Sequence, residues 1–182
     1  MSRVPHLVPE DMNDAQRQIC QAILGSRGGK WFHGPYDALL LQPRLAAPAQ
    51  QLGEFIRLRA SLAPGLIEVS ILVVAQHWRC EIEWYQHAPL AAARGLTEAD
   101  IDAIRHGTIP PTLNETDMVV HDFTHALLHD KRVGEALYTR TRELLGTVGV
   151  VELTGLIGYY TFLALTLNAH EIELPEGATP MF

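Results

Sequence analysis

Residues 66–78 are the segment that most restricts how this chain can fold. They are apolar on nearly every side of a helix, and Glu68 is one of the few polar residues among them. A helix that lacks a polar face is stable in water only when other elements cover it on all sides. The sequence therefore predicts a buried central helix that carries a carboxylate near its start.

The rest of the chain has the pattern of further helices, separated by short Pro- and Gly-containing stretches, and shows no strand-like alternation. Asn13 with Gln16 is spaced as a capping pair, and Thr97 begins a capping box. We expect an all-α fold with residues 1–182 as a single domain. Besides a helix after Asn13, helices are predicted over residues 35–41, 43–60, 66–78, 80–94, 97–106, 115–129, 134–145 and 150–169, followed by a polar tail over 171–182.

One short segment of the chain is repeated. Residues 65–73 and 149–157 agree in identity or similarity at eight of nine positions, and each copy carries one glutamate, Glu68 or Glu152. The repeat is consistent with a duplicated buried helix or with chance similarity between two apolar helices.

Composition limits the classes of partner. The net charge of −7 argues against a nucleic acid, because phosphate binding needs a basic patch. Two cysteines sixty residues apart form no disulfide framework, so a reduced cytoplasmic setting is expected. Residues 148–167 are apolar, but Glu152 and several threonines and glycines favour a buried helix over a membrane span.

Four residues form the candidate centre of chemistry. Cys80, Glu83 and His87 are three and four residues apart, which places them on one face of a helix. Glu68 lies on the preceding helix, and a short connection would make the two helices neighbours. A carboxylate beside a histidine stabilises the charged imidazolium, so the group is suited to donating and accepting protons. A solvated Glu–His pair without catalytic function has the same spacing.

These residues also carry a resemblance to a known family. Residues 75–91, with Glu-Trp followed two positions later by His-Ala, lead into Gly95-Leu96-Thr97 and resemble the signature helix of carboxymuconolactone decarboxylase-like proteins. The resemblance extends to residues 27–36, 158–160 and 167–168, with the signature helices at about 36–106. It implies an all-α, AhpD-like multi-helix bundle that forms homo-oligomers, often trimers or hexamers.

The same superfamily contains the AhpD-type alkylhydroperoxidases, and the chain departs from their motif. Glu68, Cys80 and His87 match the motif positions, but Glu83 stands where the second cysteine of Cys-x-x-Cys is expected. A disulfide-cycling peroxidase needs a reactive thiolate and a resolving thiol. The resemblance therefore points to the decarboxylase branch, which uses acid–base groups without a cofactor.

By this resemblance the substrate is a small carboxylated lactone or keto acid. His87, assisted by Glu83, would protonate the enolate that remains after carbon dioxide leaves, and Glu68 would relay the proton or orient the ring. Further residues expected to bind an anionic substrate are Arg27, Lys30, His33, Tyr36 and Trp84. Two alternatives remain open: a peroxidase that uses Cys80 alone, and a small-molecule binding protein without enzymatic activity.

A second group of histidines is interpreted as surface. His121, His125 and His129 are four residues apart, and the outer two would lie roughly 12 Å apart along a helix axis. All three therefore cannot bind one ion, and a solvated face is favoured over a metal site.

Overall fold

The computed structural model describes residues 1–26 and 34–182, so Arg27, Lys30 and His33 lie outside the described residues. Within these ranges the chain forms α-helices and one 3-10 helix, and no strand. The 3-10 helix is Pro9–Asp11, and the α-helices are α1 Asp14–Ser26, α2 Pro35–Leu39, α3 Pro43–Leu58, α4 Pro64–His77, α5 Glu81–Ala93, α6 Glu98–Arg105, α7 Glu115–His129 and α8 Glu135–Ala169.

Helix α4 is the centre of the bundle, as its composition predicts. Every residue from 66 to 75 is buried, including Glu68 and Ser70. Helices α5, α7 and α8 pack against it most extensively. An apolar helix of this kind is stabilised by burial alone, since it has no polar face to turn to water.

Side chains cap several helices at the positions that the sequence indicates. Before α1, the backbone N–H of Gln16 donates to Asn13 Oδ1 at 3.0 Å, and that of Asn13 donates to Gln16 Oε1 at 2.9 Å. Before α6, Thr97 and Asp100 form the predicted capping box. Each cap satisfies backbone N–H groups that the first turn of a helix leaves unpaired.

Glycines with positive φ lie where the chain turns between helical segments, and Gly95 and Gly146 are two of them. Gly95, at φ 104°, follows α5 and lets the chain turn into α6. Gly146, at φ 70° and ψ 169°, breaks the helical geometry inside α8, so that two helical segments meet there at a kink. The two helices predicted over residues 134–145 and 150–169 are therefore present as the two segments of α8 on either side of this kink. The other predicted ends differ from the observed ones by a few residues, within the usual range of helix fraying.

The two glutamates of the sequence repeat have different surroundings. Glu68 is buried in the first turns of α4, with 3% of its surface exposed. Glu152 accepts hydrogen bonds from the Ser61 backbone N–H at 2.8 Å and from its hydroxyl at 2.6 Å. Glu152 thus ties the turn before α4 to α8.

Helices α3 and α8 share an apolar surface, which we call the α3/α8 face. A shallow groove of about 480 Å³ runs along it, lined by Leu45, Pro48, Ala49, Leu52, Gly155, Gly158, Tyr159 and Phe162. By length and composition α8 could cross a membrane, but half of its most apolar window is buried in the chain, and core helices of soluble proteins pass the same test. The other half of this window is partly or fully exposed, and Val148, Val151 and Leu165 are apolar residues of α8 that lie at the protein surface.

The C-terminal segment after α8 is packed rather than free. Backbone N–H groups of Met181 and Phe182 donate to the Glu81 carboxylate at 2.7 and 2.8 Å. The Phe182 ring contacts Trp84 edge to face, at 5.2 Å between centroids. Its composition indicates a polar tail, but these contacts fix it over the start of α5.

Candidate functional site

A carboxylate–imidazole pair lies at the centre of the site. Glu68, from the first turns of α4, and His87, from the middle of α5, meet at 2.6 Å between Glu68 Oε2 and His87 Nδ1. Both residues are 3% exposed. Since an ionised carboxylate can only accept, Nδ1 carries the proton in this hydrogen bond and Glu68 orients the ring. The contact that the sequence suggested between the two helices is present.

Glu83 lies on the other side of the same ring. Its Oε2 is 3.4 Å from His87 Nε2, and the residue is also 3% exposed. One turn of α5 separates the two side chains, as their i, i+4 spacing requires. The imidazole is therefore held between two carboxylates, and Nε2 is the nitrogen that faces away from Glu68.

Arg94 supplies a positive charge at the edge of this group. Its Nε is 3.8 Å from Glu68 Oε1, and 38% of its side chain is exposed. The formal charges of Glu68, Glu83, Arg94 and a protonated His87 sum to zero. Arg94 is at the end of α5, where a cation is also favoured by the helix dipole. No sequence motif pointed to this residue.

A chain of three buried tyrosines, two from α8 and one from α2, begins at the His87 ring. The Tyr160 ring meets the His87 ring edge to face, at 5.3 Å between centroids. Tyr159 packs on Tyr160 at 5.4 Å, and its hydroxyl is 3.4 Å from that of Tyr36. In the sequence, residues 158–160 served only to support the family resemblance. Two adjacent tyrosines in an otherwise apolar helix could also have indicated that this part of α8 lies beside the site.

Gly53 makes room for one of these tyrosines. A Cβ at this position of α3 would lie 2.7 Å from Tyr159 Cζ. Real Cβ atoms do not approach a carbon that closely, and the ring of Tyr159 is only 4% exposed. The absence of a side chain at Gly53 therefore fixes where the Tyr159 hydroxyl lies.

Cys80 lies close in sequence to these residues, in an apolar cluster of its own. It precedes α5 as the N-cap residue, is 1% exposed, and packs with Ile82, Ala164 and Leu167. Burial, followed by the charge of Glu83, raises the pKa of its thiol to about 12. The thiolate, which is the reactive form of cysteine, is therefore disfavoured here.

The remaining predicted binding residues are placed as follows. Trp84 is 2% exposed and packs against Phe182, and Tyr36 is 4% exposed. Arg27, Lys30 and His33 belong to the stretch outside the described residues. For all five, a role in binding substrate stays a prediction.

The histidine stripe on α7 has a neighbour that the sequence did not reveal. His77, at the end of α4, lies with its Nδ1 3.2 Å from His129 Nε2. The rings of His125 and His129 are stacked, with centroids 4.1 Å apart. Among the residues that the structure describes, no three His, Cys, Asp or Glu side chains are grouped so as to hold a metal ion.

Comparison with known proteins identifies the fold. No protein-family model and no curated protein matches the chain. A solved crystal structure does: the alkylhydroperoxidase AhpD core of an uncharacterized peroxidase-related protein from Ralstonia eutropha JMP134, with a TM-score of 0.80 over 96% of this chain and 93% of that one. This chain has the AhpD-like fold. At 14% identity, the likeness extends to the fold alone.

We expect Gly53→Ala to destabilise the protein by about 1–3 kcal/mol, because the new methyl group displaces the buried Tyr159 ring. Gly25→Ala in α1 is the matched control, since a Cβ there meets nothing within 4 Å. Urea unfolding of both variants measures the difference. Equal stability of Gly53→Ala and the control would contradict the close approach.

Alkylation should find Cys80 unreactive in the folded protein. With a pKa of about 12, roughly one thiol in 10,000 is ionised at pH 8. Treatment with iodoacetamide between pH 7 and 9, followed by peptide mass spectrometry, should label Cys80 only after denaturation. Rapid labelling of the native protein would show an accessible, ionised thiol and overturn this description.

Proposed function

We propose that this protein is a cofactor-free acid–base enzyme that decarboxylates a small carboxylated lactone or keto acid. The observation that carries the proposal is the buried His87 between Glu68 and Glu83, with Glu68 on Nδ1 and Glu83 facing Nε2. An imidazole that one carboxylate fixes through Nδ1, and whose Nε2 faces a second carboxylate, is a suitable general acid. The resemblance of residues 75–97 to carboxymuconolactone decarboxylases supports the same reaction.

The proposed step needs one proton. The bond between the substrate carboxylate and its α-carbon breaks, carbon dioxide leaves, and the electron pair remains as an enolate. His87 then transfers the proton on Nε2 to the α-carbon, while Glu68 keeps the ring in position through Nδ1. Glu83, 3.4 Å from Nε2, is placed to return a proton to that nitrogen from solvent. Atoms and charge balance without an oxidant or a metal ion.

An anionic substrate also needs a cation. Arg94 reaches the group from a partly exposed position and is the cation that the described residues place beside Glu68. Arg27 and Lys30 remain proposed partners for the substrate carboxylate. The buried tyrosines would exclude water from the enolate, which strengthens the electrostatic contacts that remain.

A peroxidase that uses Cys80 is the second candidate. It is favoured by the description of the structural neighbour as peroxidase-related and by the match of Glu68, Cys80 and His87 to the AhpD motif. Against it stand the raised pKa of the Cys80 thiol and the carboxylate of Glu83 where a second thiol would be needed. We therefore place the acid–base reaction first.

Turnover of carboxymuconolactone by the wild type, His87→Gln and Glu68→Gln tests the proposal. Each variant should lose about 10²–10⁴-fold in kcat/KM, because the positioned acid is removed or misoriented. His106→Gln is the matched control, since His106 pairs with Asp102 at the same i, i+4 spacing on an exposed helix. Circular dichroism confirms folding, which matters because loss of one partner leaves the other buried and unpaired.

Activity retained in His87→Gln would remove His87 from the mechanism. Consumption of peroxide in the presence of a thiol reductant, abolished by Cys80→Ser, would instead establish the second candidate. If the wild type converts neither class of substrate, the third possibility of a binding protein replaces both enzymatic ones.

We also propose that the protein associates with copies of itself through the α3/α8 face, as a closed trimer or hexamer. Leu45 and Leu52 line this face, and Phe55, Val148 and Val151 lie on the same two helices; the five side chains are 41–67% exposed. Monomeric proteins rarely leave a contiguous apolar patch of this kind in water. A cytoplasmic location and a lack of nucleic-acid or membrane partners stay predictions.

Light scattering coupled to size-exclusion chromatography tests this association. Leu52→Glu should shift the protein toward the monomer, because it places a charge in an apolar contact. Ile109→Glu is the control, as Ile109 is 79% exposed and lies outside the α3/α8 face. A wild-type protein that is monomeric at all concentrations would contradict the proposal.

A further inference from the structure

The ends of α4 and α7 meet through two histidines. His77 is the last residue of α4 and His129 the last residue of α7. His77 Nδ1 and His129 Nε2 are 3.2 Å apart, and the two rings are perpendicular, with centroids at 4.6 Å. The residues are 52 positions apart in the chain. Their contact therefore exists only in the folded protein.

The separation of the two nitrogens has the value found when two imidazoles share a metal ion. With metal–nitrogen bonds of about 2.05 Å, the nitrogens would be about 2.9 Å apart at a 90° bond angle and about 3.4 Å apart at a tetrahedral angle. The observed 3.2 Å lies within this interval. Zinc, nickel and copper are the divalent ions that imidazole nitrogens favour.

We propose that His77 Nδ1 and His129 Nε2 together bind one divalent transition-metal ion, with zinc, nickel or copper as the chemical class. Water would complete the coordination. This site is separate from Glu68, Glu83 and His87, and it does not depend on the function proposed above.

The surroundings limit the site to two protein ligands. The His125 ring is stacked nearly parallel on His129, at 21° between planes, so its nitrogens do not converge on the same point. His121 is one turn further, stacked on His125 at 6.2 Å. Lys131, the nearby cation, donates its ammonium group to the Leu128 carbonyl. Asp122 and Asp130 are exposed carboxylates whose charges act on His125.

The consequence of binding would be a link between two helices of the core. The ion would join the C-terminal end of α4 to that of α7. Because the unfolded chain does not hold the two imidazoles together, the ion binds the native state more tightly and stabilises it. The hydrogen bond between the two rings would be replaced by two metal–nitrogen bonds.

Titration calorimetry with Zn²⁺ and with Ni²⁺, on protein without a histidine tag, tests the inference. The wild type should bind one equivalent, and each metal should raise the Tm. His77→Asn and His129→Asn should each weaken binding at least about tenfold, since one of two ligands is lost. His121→Asn is the matched control, because His121 shares the α7 stripe and lies two turns from His129. It should bind as the wild type does.

Two results would overturn the inference. If His77→Asn binds with wild-type affinity while His125→Asn does not, the ion is held by α7 alone. If millimolar metal neither binds the wild type nor raises its Tm, the two rings are joined only by an N–H···N hydrogen bond. The Tm of every variant without metal shows whether it folds, and His129→Asn gives an independent reading should His77→Asn fail to do so.

Discussion

The hydrogen bond between Glu68 and His87 is the interaction on which the rest of the site depends. Removing a carboxylate from water costs several kcal/mol, and a partner at 2.6 Å offsets much of that cost. Helix α4 is buried on every side, and its first turns nevertheless contain the carboxylate of Glu68. This carboxylate is tolerated there because His87 of α5 forms a hydrogen bond with it. The short connection between α4 and α5, the cation of Arg94 and the ring of Tyr160 all adjoin this one pair.

In the proposed mechanism, the residue at position 83 decides between acid–base and thiol chemistry. A second thiol there would give the AhpD arrangement, whereas Glu83 gives an imidazole between two carboxylates. The same carboxylate, together with burial, keeps the Cys80 thiol protonated. Glu83 therefore both faces the imidazole that we propose as the acid and disfavours the reactive thiolate of Cys80. An unchanged backbone fold can host either reaction, which is why fold likeness alone does not assign one.

Local patterns in the sequence were sufficient to predict much of this structure. The burial of α4, the caps at Asn13 and Thr97, and the approach of Glu68 to His87 follow from periodicity and spacing. Contacts made by helices distant in sequence did not follow. Arg94, Tyr160 and His77 acquire their neighbours through the angles at which α4, α5, α7 and α8 pack, and periodicity within one helix carries no such information. The packed C-terminal segment was missed for the same reason.

Nuclear magnetic resonance of the His87 ring is the most direct test of the central claim, that Glu68 fixes this imidazole for proton transfer at Nε2. Long-range ¹H–¹⁵N correlation at neutral pH, with His87→Gln for assignment, reports which ring nitrogen carries a proton. We expect a slowly exchanging proton on Nδ1, held by Glu68, and faster exchange at Nε2. A ring whose Nδ1 carries no proton at neutral pH would contradict it.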